Sequence, residues 1–197
     1  MKKDLRLQEA VPALTLLLYL LISEPPAVWL LFFSALATHE LGHLTAFRFV
    51  REGAPRFCFE GVGTRLTPSL PLLPAEEAAV AVAGPLFNVA FALFALRFGK
   101  GGFFLLFAVV HLLFGLSNLL PFGACDGERL LRLLLPRLCP RCADAVTALL
   151  GSASLALLFY FSLFIYYLTG NGLCGVFFSL FFLLREKHPT LSRTNFP

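Results

Sequence analysis

The chain has 197 residues, of which 58% are apolar and only 14% are charged. Soluble domains are about 45–50% apolar and about 25% charged, so this composition excludes a disordered chain and disfavours a soluble globule. The formal net charge of +4 does not indicate a nucleic-acid partner, and we expect none. Five cysteines, spread along the chain, do not form a disulfide framework. We therefore expect one membrane-embedded domain that covers residues 1–197.

Six apolar stretches have about the length that a helix needs to cross a bilayer core, which is about 20 residues. In chain order they are Leu5–Ile22, Ala27–Val50, Ala75–Phe98, Phe103–Leu120, Ala145–Thr169 and Gly172–Leu184. The first competes with a signal peptide, but Glu9 lies near its start and no small-residue cleavage site follows it. The last is short, which indicates a tilted or partly re-entrant helix. The sequence thus predicts an all-α polytopic membrane protein with about six transmembrane helices.

The distribution of positive charge predicts the orientation of these helices. Fourteen of the 16 Lys and Arg residues lie on the side that carries the N-terminus, and only Arg97 and Lys100 lie on the other. Cytoplasmic loops carry the excess of Lys and Arg in membrane proteins. We therefore expect a multi-pass protein with both termini in the cytosol.

The second predicted span carries a polar cluster, His39-Glu40-Leu41-Gly42-His43, in its middle. One charged residue at the bilayer centre costs about 2.5–3.5 kcal/mol, whereas each Leu, Val or Phe returns only about 0.3–0.6 kcal/mol. Residues four apart lie on one face of a helix, so His39 and His43 can share one zinc ion. Glu40 is then placed to act as a general base on a water molecule that the metal activates.

A catalytic zinc site needs a third protein ligand, and two candidates lie near the same depth. His111 lies within the fourth span, and Asp126 follows the end of that span. Because the fourth span runs toward the cytosol, Asp126 lies at its cytosolic end. His43 also lies nearer the cytosolic end of its own span, so the two residues are expected at a similar depth.

Three motifs together resemble the site-2 proteases, a family of intramembrane zinc metalloproteases. They are the HELGH motif, then Gly84-Pro85-Leu86-Phe87-Asn88, then Asn118 and Pro121 before Asp126-Gly127. The nearest resemblance is to the stage IV sporulation branch, whose C-terminal nucleotide-sensing domain has no counterpart in this chain. The resemblance places the catalytic core at about 27–127, with the first and the last two spans as accessory helices. It implies His39, His43 and Asp126 as ligands of one Zn²⁺ and Glu40 as the general base.

Several residues have less defined roles in this prediction. The resemblance places Asn88 and Asn118 near the site or the substrate strand. Gly84 and Pro85 indicate either a polar backbone edge beside the site or an ordinary kink, because a proline removes a helical hydrogen bond. His111 either shapes the site or makes a plain hydrogen bond. Cys125 stands where the family usually has Leu, and it could replace or supplement Asp126.

Two loops of the predicted cytosolic side carry further patterns. Residues 56–66 alternate polar and apolar types around Gly61 and Gly63, which predicts a short β-hairpin, or a re-entrant loop, between the second and third spans. Such a hairpin would either add an extended substrate as a strand or cap the site. Cys139 and Cys142 have metal-like spacing, but no second pair accompanies them, so we read them as plain loop cysteines. The neighbouring arginines of this loop are expected to bind anionic lipid of the inner leaflet.

The motifs and the resemblance together predict a zinc metalloendopeptidase in the bacterial cytoplasmic membrane that cleaves its substrates in or near the bilayer on the cytosolic side. The resemblance implies membrane-tethered regulatory proteins, such as a sigma-factor precursor, as the substrates. Inhibitory membrane proteins are further candidate partners. The alternative is a non-proteolytic membrane protein, either a metal transporter or an adaptor that holds substrates. A transporter would be expected to show repeats or several polar spans, and an inactive adaptor would be expected to lack Glu40.

Overall fold

The computed structural model describes residues 25–50, 56–60, 63–67, 72–122 and 125–170. These residues form five helices and two strands: α1 (Pro26–Val50), β1 (Arg56–Glu60), β2 (Gly63–Thr67), α2 (Pro74–Phe98), α3 (Gly102–Asn118), α4 (Asp126–Leu138) and α5 (Ala143–Thr169). The first and last predicted spans, Leu5–Ile22 and Gly172–Leu184, lie outside the described residues.

Four of the helices coincide, within two residues at each end, with predicted spans two to five. By length and apolar composition, two helices of the described part could cross a membrane, namely α2 and residues Ala143–Leu168 of α5. Helix α3 is apolar but shorter, with 17 residues, and α1 has the length of α2 but contains the HELGH cluster. The six-span arrangement stays a prediction.

Small residues occupy several core positions between the helices, and many large apolar side chains lie on the outside. The core positions Ala81, Ala92 and Ala108 are fully buried, whereas Phe94 is 65% exposed and Leu157 71% exposed. Membrane helices associate through such small residues, since lipid solvates large apolar side chains. This arrangement fits a protein whose outer helical faces contact lipid.

Helices α1 and α2 approach each other through two glycines. A Cβ atom on Gly42 would lie 2.6 Å from the carbonyl oxygen of Ala83 and 2.9 Å from Cα of Gly84. Any side chain at Gly42 would therefore push the two helices apart. Gly42 is therefore the small residue of α1 that lets α2 approach.

Helix α2 begins at Pro74 and continues through Pro85 to Phe98. The Glu76 carboxylate accepts a 2.7 Å hydrogen bond from the backbone N–H of Leu73, which satisfies a donor that the first turn leaves free. Pro85 is buried and lies inside the helix, which continues on both sides of it.

Helix α4 lies where the sequence analysis expected an Arg-rich loop. It is amphipathic, with Leu residues interspersed among Arg129, Arg132 and Arg137. Its first turn approaches the end of α3 so closely that a Cβ atom on Gly127 would overlap the carbonyl group of Leu119. The helix thereby holds its first residue, Asp126, against the helices before it.

Two other connections have structure of their own. Strands β1 and β2 pair antiparallel, with Arg56 opposite Thr67 and Glu60 opposite Gly63. A disulfide joins Cys139 to Cys142 in the turn between α4 and α5, whereas we had read both as plain loop cysteines.

Candidate metal centre

The side chains of His39, His43 and Asp126 converge between α1 and α4. Each residue is at most 8% exposed. His39 and His43 lie one turn apart on α1, and Asp126 is the first residue of α4. Within the described residues this is the cluster of His, Cys, Asp and Glu side chains whose ligand atoms could hold one metal ion.

The three facing atoms form a nearly regular triangle. Nε2 of His39 lies 3.0 Å from Nε2 of His43, and Oδ2 of Asp126 lies 3.1 Å from the first and 3.2 Å from the second. Ligands about 2.0–2.1 Å from a tetrahedral zinc ion are separated by about 3.3 Å. Oδ2 of Asp126 is buried and faces the Nε2 atoms of both histidines. The donor set and its spacing therefore fit one zinc ion with a fourth position left for water or substrate.

A backbone carbonyl of α2 orients His43. Nδ1 of His43 donates a 2.7 Å hydrogen bond to the carbonyl oxygen of Val80, which leaves the Nε2 lone pair free for a metal. Val80 lies about one turn before the Gly84-Pro85 motif on α2. This part of α2 therefore supplies a backbone acceptor to the site.

The ring of His39 is held on two sides. Its Nδ1 lies 3.3 Å from Nδ2 of Asn88 on α2, and Phe114 of α3 contacts it edge to face at a centroid distance of 5.4 Å. Asn88 is fully buried. Two different helices therefore fix the plane of this imidazole.

Gly84 lies directly against both imidazoles. A Cβ atom at this position would come within 2.6 Å of Nε2 of His43 and 2.8 Å of Cε1 of His39. Distances this short displace the contacted group, so the site needs glycine here.

An ion pair connects α4 to α2 beside the third candidate ligand. Nε of Arg129 donates a 2.8 Å hydrogen bond to Oε1 of Glu77. Arg129 lies about one turn after Asp126 on α4 and Glu77 lies one turn before Val80 on α2. The pair therefore aligns the helix that carries Asp126 with the helix that orients His43.

Comparison of the whole fold identifies a similar solved structure. The sequence itself matches no protein-family model and no curated protein. The structure resembles the site-2 protease from Methanocaldococcus jannaschii with a TM-score of 0.62, over 97% of this chain and 90% of that chain, at 18% identity. The fold is that of a site-2 protease. Together with the two apolar helices of the described part, this fold indicates a membrane protein.

Within this site-2 protease fold, Cys125 lies apart from the metal cluster. It packs against the buried pair Phe122 and Leu155. Burial, with the nearby carboxylates of Asp126 and Glu128, raises the pKa of its thiol to about 12. The ligand atoms that lie within reach of one ion belong to His39, His43 and Asp126, so the geometry favours Asp126 over Cys125.

The two remaining predicted residues of α3 do not reach the metal cluster. His111 is fully buried and its Nε2 lies 3.2 Å from Oγ of Ser34, while Phe107 stacks on its ring at 4.0 Å. His111 thus makes a plain hydrogen bond to α1, and a site-shaping role stays a prediction. Nδ2 of Asn118 donates to the carbonyl oxygen of Phe114 within the same helix, at 2.9 Å. A contact of Asn118 with substrate stays a prediction.

Glu40 lies between the two histidines in sequence and is half-buried. It is near enough to His43 to interact with it electrostatically.

Three groups of this centre were not predicted from the sequence. They are the carbonyl of Val80, the ring of Phe114 and the Glu77–Arg129 ion pair. The opposite charges of Glu77 and Arg129 are visible beside apolar segments of the sequence, but no pattern indicates that the two side chains meet.

Proposed function

We propose that this chain is an intramembrane zinc metalloendopeptidase that hydrolyses peptide bonds of membrane-tethered proteins in or near the bilayer. The observation that carries the proposal is the triangle of His39, His43 and Asp126 atoms, set between apolar helices of site-2 protease fold with Glu40 beside it. A purely structural zinc site is normally closed by four protein ligands. Here three candidate ligands converge, which suits catalysis.

The chain's own residues divide the chemistry among them. His39, His43 and Asp126 would hold the metal, which when bound supplies a Lewis acid that polarises the peptide carbonyl and acidifies water. Glu40 takes a proton from the attacking water and donates it to the leaving amine. Because the same carboxylate performs both transfers, its loss should remove turnover without removing the metal ligands.

Cleavage on the cytosolic side is part of the proposal and is supported by charge. With the N-terminus in the cytosol, the bias of Lys and Arg places Asp126 and the end of α1 on that side. The substrate segment must be extended at the site, since an intact helix shields its peptide bonds. We propose that the paired strands β1 and β2 receive it as an added strand.

The finer predictions rest on sequence resemblance alone. They are membership of the stage IV sporulation branch, a membrane-tethered transcriptional regulator as substrate, and regulation by inhibitory membrane proteins in the bacterial cytoplasmic membrane.

Co-expression with a panel of membrane-tethered candidate substrates tests the function. We expect a cleaved product with the wild type and none with Glu40→Gln, although both variants retain zinc. Glu76→Gln is the matched control, because Glu76 lies at the start of α2 and a glutamine oxygen can still accept the hydrogen bond from Leu73. Equal product from the wild type and from Glu40→Gln would contradict a zinc peptidase.

The alternative is a membrane protein that uses the same metal site without proteolysis. A metal transporter would carry zinc into sealed proteoliposomes, and an adaptor would bind substrates without cutting them. We expect no zinc uptake by the reconstituted wild type, while uptake that depends on His39 and His43 would favour the transporter.

A further inference from the structure

The fully buried side chain of Asn88 contacts a candidate metal ligand. Its Nδ2 lies 3.3 Å from Nδ1 of His39. Its other amide atom, Oδ1, is buried and has no hydrogen-bond partner among the described residues. Since Asn88 is 0% exposed, it cannot contact a substrate strand in this conformation. Its task must concern the histidine.

The facing atoms restrict what this contact can be. Nε2 of His39 points toward His43 and Asp126, so a metal would bind through Nε2. A neutral imidazole carries one N–H, so metal binding through Nε2 requires the hydrogen on Nδ1. Nδ1–H is a donor, and Nδ2 of Asn88 is also a donor. The amide must then turn so that Oδ1 faces Nδ1.

Without metal, the hydrogen bond between His39 and Asn88 can form in the opposite direction, with Asn88 as the donor. Nε2–H of His39 then donates to Oδ2 of Asp126, 3.1 Å away, and Nδ1 accepts from Nδ2 of Asn88. Amide oxygen and nitrogen exchange places by a rotation of about 180° about the last side-chain torsion. Asparagine can therefore donate to Nδ1 in the empty site and accept from it in the loaded site. An ionised aspartate could only accept, and leucine could do neither.

We infer that Asn88 is a positioning residue that selects the metal-binding tautomer of His39 by accepting a hydrogen bond from Nδ1–H through Oδ1. The inference rests on the zinc site of the proposed function. His43 has the equivalent acceptor in the carbonyl oxygen of Val80. Each imidazole thus receives an acceptor from α2, one from the backbone and one from a side chain.

Zinc affinity of the purified full-length protein tests the inference. Partners of this kind change metal affinity by about ten- to hundredfold. We expect Asn88→Leu to weaken zinc binding by that factor, as measured by competition with a chromophoric chelator. Asn88→Asp keeps the acceptor, so we expect affinity at least equal to that of the wild type. Thr147→Val is the control for zinc affinity, because the buried Thr147 hydroxyl bonds to the carbonyl oxygen of Ala143 within its own helix, α5.

The pair of variants separates positioning from packing. Equal weakening in Asn88→Leu and Asn88→Asp would mean that the amide only fills space, and wild-type affinity in Asn88→Leu would mean that it does not matter. Either result would overturn the inference, whatever the outcome of the cleavage experiment.

Imidazole ¹⁵N spectroscopy of the wild type gives a test without any substitution at Asn88. The chain has only four histidines, so His39 can be assigned by comparison with His39→Gln. In the zinc-loaded protein we expect a hydrogen-bonded proton on Nδ1 of His39 and none on its Nε2. An unprotonated Nδ1 in that state would overturn the inference even if Asn88→Leu failed to fold.

Discussion

Gly84 of α2 lies against the imidazole of His43 so closely that a Cβ atom there would be 2.6 Å from the ring's Nε2. That nitrogen is also the atom that faces Asp126. A change in how α2 packs against α1 would therefore also change the geometry of the metal centre.

Substitution of Gly84 by alanine should therefore damage the metal centre. We expect Gly84→Ala to weaken zinc binding at least about tenfold, because the added methyl group must push one or both imidazoles out of place. Gly102→Ala is the matched control, since a Cβ atom at Gly102 meets nothing within 4 Å. Wild-type zinc affinity in Gly84→Ala would mean that the helices separate without moving the ligands.

The Glu77–Arg129 ion pair should contribute to the alignment of Asp126. About a third of each side chain is exposed, and such pairs contribute about 0.2–1 kcal/mol. We expect Glu77→Gln and Arg129→Gln each to weaken zinc binding a few fold, and the exchange Glu77→Arg with Arg129→Glu to restore part of it.

Arg132→Gln is the control for this pair, because Arg132 bonds to Glu128 in its own helix at 2.6 Å. If Arg132→Gln weakened zinc binding as much as Arg129→Gln, the link between α4 and α2 would have no special role.

Separate substitutions of the neighbours Cys125 and Asp126 should have different effects. We expect Asp126→Ala to lose zinc and Cys125→Ala to retain it, since the thiol packs against Phe122 and Leu155. Metal analysis of the purified variants measures this. Zinc retained in Asp126→Ala but lost in Cys125→Ala would reverse the assignment.

The hydrogen bond between Ser34 and His111 should stabilise the fold without affecting the metal. Hydrogen bonds between membrane helices contribute about 0.6 kcal/mol on average. Nδ1 of His111 already has no partner among the described residues, so Ser34→Ala would leave both ring nitrogens unsatisfied. We expect a loss of about 1 kcal/mol in stability toward denaturant, with unchanged zinc affinity. A fall in zinc affinity would instead support a site-shaping role for His111.

The candidate site could be anticipated from sequence where its chemistry is local. The spacing of His39 and His43 is a property of one helix, and the cost of burying them indicated a partner. Asp126 followed from its expected depth and from the resemblance of its motif.

Other parts of the centre depend on contacts between segments far apart in the chain and left no local pattern. The carbonyl of Val80 meets a histidine 37 residues earlier, and any residue type supplies a carbonyl. Helix α4 was not predicted because a segment rich in arginine between two apolar stretches is typical of a loop. In the structure these arginines belong to an amphipathic helix. The contacts of Asn88 depend on how α1 and α2 cross, which the glycines allow but do not specify by themselves.

The extended X-ray absorption fine structure at the zinc edge of the loaded wild-type protein tests the central claim most directly. Two imidazole nitrogens and a carboxylate oxygen should produce a shell of nitrogen and oxygen at about 2.0–2.1 Å, with the outer scattering that imidazole rings give. The loaded protein should hold one zinc per chain. A sulfur neighbour at about 2.3 Å, or a protein that binds no zinc at micromolar concentration, would contradict the site built from His39, His43 and Asp126.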